Sequence, residues 1–313
     1  MSIDAPWRLD ETTLGDLIDR TSDPADAGFD VAVLPFGCTE PHNLHLPYGT
    51  DTIEALEIGD RICHAAWRAG ARVALLPAIP YGTTTNQSEL RLTLNLMPTT
   101  ILAIVRDLLA SLSNHGIRKV VLLNSHGGND LKWMLRELHG EFDPDVKLFL
   151  IDWFRTMRDA ASDIFENADD HAGEMETSIL LATRPELVAR DADGGLTADD
   201  GTTKPTRFEA VEEGWVSISR PWHLLTTNTG SGHPHRATAE KGERLLDAIE
   251  DRYGRFLVEL AESPLDVNFP FYVGDSRWYG GRRTSRPLAR THPDKTTSHK
   301  KVRPSHFGGM VFR

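Results

Sequence analysis

Three short stretches hold the residues best able to bind a metal or move a proton. Residues 37–51 (GCTEPHNLHLPYGTD) contain Glu40, His42, His45 and Asp51. Glu40 and His42 are two apart, so in an extended segment they point the same way. A carboxylate beside an imidazole suits a borderline divalent cation such as zinc. Asp51 completes such a set from the start of the next helix. It could instead cap that helix, with Glu54 three residues on in a capping box. His45 sits amid Leu44, Leu46 and Pro47 and reads as a support behind the ligands or as packing. Cys38 in the same loop also reads as packing rather than as a catalytic thiol.

The second stretch, residues 124–129 (NSHGGN), offers His126 beside Gly127 and Gly128. Paired glycines let backbone approach a ligand closely, or simply make a turn. The third, residues 169–178 (DDHAGEMETS), holds His171, Glu174 and Glu176 ahead of the apolar Ile179, Leu180 and Leu181. A helical turn beginning here would place His171 and Glu174 on one face. Acids at a helix start are also favoured by the macrodipole alone. Together the stretches supply more ligands than one ion needs. Two metals with a bridging carboxylate, and water as the nucleophile, are the natural reading. A nearby His or Glu would carry protons to the leaving group.

Those stretches need elements to hold them. Short β-branched runs at 30–36, 72–79, 119–123 and 146–151 read as strands. Apolar residues at helical spacing mark helices over 52–69, 98–115, 130–139, 174–182 and 237–261. Alternation of strand and helix implies βαβ units and a largely parallel sheet covered on both faces. Sites in such sheets lie beyond the carboxyl ends of the strands, which is where the three stretches fall. Residues 191–205, rich in Gly, Asp and Thr, read as an exposed loop.

At 313 residues and 40% hydrophobic composition the chain can bury a core without cross-links. Two cysteines make no disulfide framework and fit a reducing compartment. The N-terminus lacks a basic start followed by an apolar run, and no stretch is long enough to span a bilayer, so a cytoplasmic protein is expected. Net charge is −12, although residues 282–313 carry nine Lys/Arg against Asp294 alone, leaving the body more acidic than the whole. That balance disfavours nucleic acid or an anionic membrane as the main partner. A domain over 1–270 followed by a basic extension or arm over 271–313 is expected.

The three stretches resemble the creatininase (creatinine amidohydrolase) family, whose pattern is G-S-x-E-Q-H-G-x-H-L-P ending in T-D, then N-G-H-G-G-N, then H-A-G-x-x-E-T-S. The matching residues run from Gly37 to Pro47 with Thr50-Asp51, from Asn124 to Asn129, and from His171 to Ser178. A later family segment is matched by Ser231-Gly232-His233-Pro234 and by Ala237 to Gly242. The resemblance implies a three-layer α/β/α sandwich with a mostly parallel central sheet. It also implies a homo-oligomer, commonly a hexamer, acting on a small cyclic substrate. Two divalent ions are implied, zinc with zinc, manganese or iron. Glu40 and His126 would bind one metal, His42 the other, and Asp51 would bridge them. Some members draw the last ligand from a carboxylate two residues beyond the His126 position, where this chain has Gly128. Glu174 is therefore expected as the last ligand, with Glu176 in reserve or acting catalytically beside His171, the proton-transfer histidine.

The chain departs from the pattern at Cys38 for Ser, Pro41 for Gln and Asn43 for Gly, and it has Arg91-Leu92-Thr93 where the family has Pro-Gly-Thr. Arg91 could meet a polar or anionic substrate, or lie on the surface. The expected reaction is hydrolysis of a C–N amide. The alternatives are C–C ring opening of an inositol-derived cyclic diketone and, as a third activity that the resemblance implies, trimming of a short peptide; a binding protein without catalysis is the remaining class.

Overall fold

A computed structural model describes residues 5–167 and 171–271. Four strands, β1 (Val31–Phe36), β2 (Val73–Leu75), β3 (Lys119–Asn124) and β4 (Lys147–Asp152), form one sheet in the order β2-β1-β3-β4. Every pairing is parallel, with Phe36 opposite Asn124 and Asn124 opposite Asp152. The helices are α1 (Leu14–Arg20), α2 (Thr50–Arg68), α3 (Pro98–Asn114), α4 (Lys132–Phe142) and α5 (Trp153–Thr156). They continue with α6 (Arg158–Ile164), α7 (Glu174–Thr183), α8 (Glu209–Glu212), α9 (Trp222–Leu225) and α10 (Ala239–Glu262).

Every residue of β1 and β3 is buried, as central parallel strands covered on both faces must be. Ala32, Leu34, Phe36, Val120 and Leu122 share one face with Ile101, Val105 and Leu109 of α3 and Met134 and Leu138 of α4. On the other face α2 comes close: a Cβ at Gly59 would lie 2.7 Å from a Leu75 methyl. α10 packs on α2 and α7. It reaches α7 because Gly242 has no side chain, since a Cβ there would stand 2.1 Å from the Ser178 carbonyl oxygen. The result is the expected α/β/α sandwich.

The second strand is shorter than its apolar run suggests. Pro77 cannot donate to the ladder. The chain rejoins the sheet beyond it, where Ile79 bridges Phe36. Along the chain β1 leads through α2 to β2, whereas β3 leads through α4 to β4 on the opposite side. The loops leaving the two central strands therefore diverge, and a crevice opens between them at the sheet's carboxyl edge.

A second compact unit begins at Pro264. Its described residues, 264–271, make turns, with Val267 and Phe271 exposed. The remainder of the expected basic extension, 272–313, lies outside the described residues. Among the described residues no helix is long and apolar enough to cross a membrane.

Candidate metal centre

Glu40, His42, Asp51, His126 and His171 converge in the crevice between β1 and β3, each less than a tenth exposed. His126 Nδ1 stands 3.1 Å from both Glu40 Oε1 and Asp51 Oδ2. His42 Nε2 is 3.1 Å from Asp51 Oδ1. His171 Nδ1 is 3.8 Å from Glu40 Oε1, and its ring centroid lies 4.2 Å from that of His42. Asp51 thus faces two imidazoles, one with each oxygen.

The three imidazoles are oriented in one way. His42 Nδ1 donates to the Glu40 carbonyl at 3.0 Å, His126 Nε2 to the Thr83 carbonyl at 3.1 Å, and His171 Nε2 to the Pro41 carbonyl at 3.0 Å. A carbonyl can only accept, so each ring commits one N–H to the backbone. The other nitrogen is left pointing at carboxylates. That arrangement is the usual support of a metal-binding histidine.

The charges answer to this crowding. Burial opposes the His42 imidazolium, but Asp51, then Glu176 and Glu40, outweigh it and raise the pKa to about 10. Burial likewise opposes the His126 cation, and Glu40 and Asp51 raise its pKa well above the ordinary value. Asp51 is driven far below the usual carboxylate range by His42 and His126, against its own burial. Glu54 goes the other way: burial first, then Glu176 and Asp51, push its carboxyl well above the ordinary value. Both of its oxygens are buried without a hydrogen-bond partner. Asp51 Oδ2 is also buried and unpartnered, its approach to His126 lacking hydrogen-bond geometry. Carboxylate oxygens facing ring nitrogens around an unpartnered oxygen fit a cation.

Among the described residues, three groups of donor atoms, each lying within 4.8 Å of one another, could hold an ion: Cys38, Glu40, Asp51 and His126; Glu40, His42 and His171; and His42, Asp51 and Glu176. The first and third share Asp51. Glu176 belongs to this constellation and accepts from the Ala172 amide. Glu174 does not. Its carboxylate is turned to Lys241 Nζ at 2.5 Å and to the amides of Glu166 and Asn167. α7 begins at Glu174, so residues 174 and 176 leave the helix in different directions.

The local chain explains several placements. Gly49 precedes α2 with no side-chain cap, so the capping-box reading of Asp51 and Glu54 does not hold: Asp51 is drawn to the histidines and Glu54 is sealed in the interior. Nor do His171 and Glu174 share a helical face. His171 lies before α7 in a bridge to Ser231, and Ala172 turns the chain at φ 50°. Asn43 has φ 56°, a conformation Asn tolerates better than other side chains. Its side chain also joins the loop to the Asp199 carbonyl and Asn228. Gly128 is needed where it stands, since a Cβ would meet both His126 Nε2 and the Thr83 oxygen at 2.4 Å. His45 bonds Thr177 Oγ1 at 2.8 Å from a buried position, as packing.

Sequence reasoning missed Gln87, whose Nε2 donates to Glu40 Oε2 from a short turn after the second strand. No spacing links Gln87 to Glu40, 47 residues away. Asn124, which opens the second polar stretch, ties His126, Asn129 and Asp152 together. The cluster floors a pocket of about 970 Å3, whose walls include Phe154, Arg155, Arg158, Phe165, Met175 and Trp222. Trp222 stands edge-on to His171 at 5.6 Å. Trp153 is instead core, donating to Ser125, Trp215 is exposed, and Arg91 is not among the lining residues.

The family model for creatininase, creatinine amidohydrolase, matches residues 20–257. The chain is 30% identical over 239 residues to a creatinine amidohydrolase of Pseudomonas putida, covering 71% of this chain and 86% of that protein. It is 27% identical over 252 residues to a mycofactocin precursor peptide peptidase of Mycobacterium ulcerans (strain Agy99), covering 76% and 88%. A provisionally named creatinine amidohydrolase from Bacteroides fragilis NCTC 9343 superposes with a TM-score of 0.73 at 35% identity, over 84% of this chain and all (100%) of that one. Creatininase structures of Zn-Zn type and with Mn share the fold at 24% identity, with TM-scores of 0.64 and 0.61; each match covers 82% of this chain, and 98% and 99% of theirs. By motif, fold and extent of match, the chain belongs to the creatininase family, whose members are metal-dependent hydrolases.

Proposed function

We propose that this protein is a dinuclear metal-dependent amidohydrolase that cleaves a C–N amide bond. Glu40, Asp51 and His126 would hold one divalent ion and His42, Asp51 and Glu176 the other, with Asp51 shared. Glu176 replaces Glu174 as the last carboxylate ligand in this reading, because Glu174 is committed to Lys241. The observation that carries the proposal is the common orientation of His42, His126 and His171, each with one nitrogen fixed by a backbone carbonyl and the other aimed at shared carboxylates.

Divalent ions held there would supply Lewis acidity towards the scissile carbonyl and towards water. The chain's own residues do the rest. His171, lining the pocket with Nε2 anchored on Pro41, moves a proton through Nδ1 to the leaving nitrogen. Glu40 holds negative charge beside that ring. Trp222 and Phe165 wall the substrate from solvent.

The pocket volume favours a second reading of the substrate. Some 970 Å3 is at the upper end of the range for drug-sized ligands, well beyond one five-membered ring. A short peptide amide is the substrate class of that larger size, in keeping with the peptidase relatives. A screen of the metal-reconstituted enzyme against cyclic amides, short peptides and cyclic polyol ketones tests the assignment. Release of an amine or ammonia, lost in Glu40→Gln, is expected. Turnover of ketones alone would replace the amidohydrolase reading with C–C ring opening.

A further inference from the structure

Cys38 follows β1 by two residues and is wholly buried. It does not face the apolar core alone. Its Sγ lies within 4.8 Å of the donor atoms of Glu40, Asp51 and His126, which are themselves mutually within that distance. Four donors from one strand exit, one helix start and one neighbouring loop therefore lie close enough together to share one ion. In that group sits Asp51 Oδ2, buried and without a hydrogen-bond partner.

We propose that Cys38 supplies a thiolate ligand to the ion held by Glu40, Asp51 and His126, making that half of the centre selective for thiophilic metals. The inference rests on the metal-centre reading above and goes beyond it. The donor set becomes one sulfur, one nitrogen and carboxylate oxygens, which suits zinc or cobalt(II) and disfavours manganese. The half formed by His42, Asp51 and Glu176 has no sulfur and accepts harder ions. The two halves of one centre thus differ in softness, and a mixed pair of metals is accommodated with a fixed assignment of ion to position. Coordination replaces the S–H bond by a metal–sulfur bond and releases one proton to solvent, with no change in oxidation state.

Cobalt(II) loading of the metal-free protein tests this. Wild type is expected to show a near-ultraviolet thiolate-to-cobalt charge-transfer band together with the weaker visible bands of bound cobalt. In Cys38→Ser, the charge-transfer band disappears while the visible bands and cobalt stoichiometry remain. Cys63, the other cysteine of the chain, lies buried in α2 away from the donor groups, so Cys63→Ala keeps the band. In competition assays Cys38→Ser weakens zinc binding by at least about 10-fold and leaves manganese binding unchanged. Cobalt bound by wild type without a charge-transfer band would overturn the role of Cys38 and leave the metal centre standing. Failure of wild type to bind cobalt or zinc in stoichiometric amount would overturn both.

Discussion

His126 Nδ1 lies 3.1 Å from Asp51 Oδ2, yet that oxygen has no hydrogen-bond partner, because the approach lacks hydrogen-bond geometry. A second proton on the ring, or a divalent ion coordinated by both atoms from one side, would relieve this approach. Without metal the proton serves, since Glu40 and Asp51 outweigh burial in favouring the imidazolium.

Metal uptake must therefore displace protons from His42 and His126, and apparent affinity should rise with pH through the neutral range. Isothermal titration of zinc into the chelated protein in buffers of different ionisation enthalpy would measure that release. His126→Ala should lower affinity by about 100-fold or more and abolish turnover. At about 100 times the Kd, zinc should stabilise wild type by roughly 3 kcal/mol. Normal turnover in His126→Ala would sink the proposed centre.

Glu174 and Glu176 should separate cleanly. Glu176→Gln is expected to lose one equivalent of metal with little change in metal-free stability. Glu174→Gln is expected to keep both equivalents and to destabilise the fold by about 1–3 kcal/mol, through the weakened contact with Lys241. Metal analysis and urea unfolding of the two variants give the comparison. The reverse pattern would return Glu174 to the ligand set.

Gln87 positions Glu40 without itself belonging to a donor group. Gln87→Leu should weaken metal binding by about 10- to 100-fold, with kcat recovered as metal is raised. A kcat loss that no metal concentration restores would mean that Gln87 acts on the substrate.

Gly128→Ala should be disproportionately harmful for a single methyl, because the contacted atoms are backbone and a ring held by backbone. The loop must shift, carrying His126 with it. We expect a stability loss of about 1–3 kcal/mol and reduced metal content. Gly127→Ala, where a Cβ meets nothing within 4 Å, is the control and should retain both.

His45 is held neutral: burial, then His42 and His235, lower its pKa to about 4. The unfolded imidazole titrates near 6.5. Its contribution to stability is therefore complete above about pH 6.5 and is lost as pH falls towards 4, up to roughly 3 kcal/mol. Urea titrations of the metal-free protein across that window should show a shallower pH dependence in His45→Gln. Equal slopes in variant and wild type would refute the assignment.

The order of elements and the donor residues themselves were legible from the chain. Apolar runs and helical spacing located the four strands and the major helices, because burial of both faces of a parallel sheet leaves a continuous apolar record. The three polar stretches stood out because each follows or precedes such a run. Asn43 and Gly128 were visible as departures from a pattern, and only backbone conformation and close approach explain them.

What the tertiary structure decided was direction. Glu174 and Glu176 are two apart, about 200° around a helix, so one of them must face away from the histidines. Which one depends on how α7 seats between α2 and α10, and that is set by contacts such as Gly242 against Ser178, far away in sequence. The same holds for Asp51, whose local spacing described a helix cap. Two histidines, one from its own loop and one from the loop after β3, draw its oxygens into the crevice instead. A chain can record which side chains are able to bind a cation. Their convergence requires strands whose order brings the loops after β1 and β3 side by side, and that order is fixed by packing across the whole sheet.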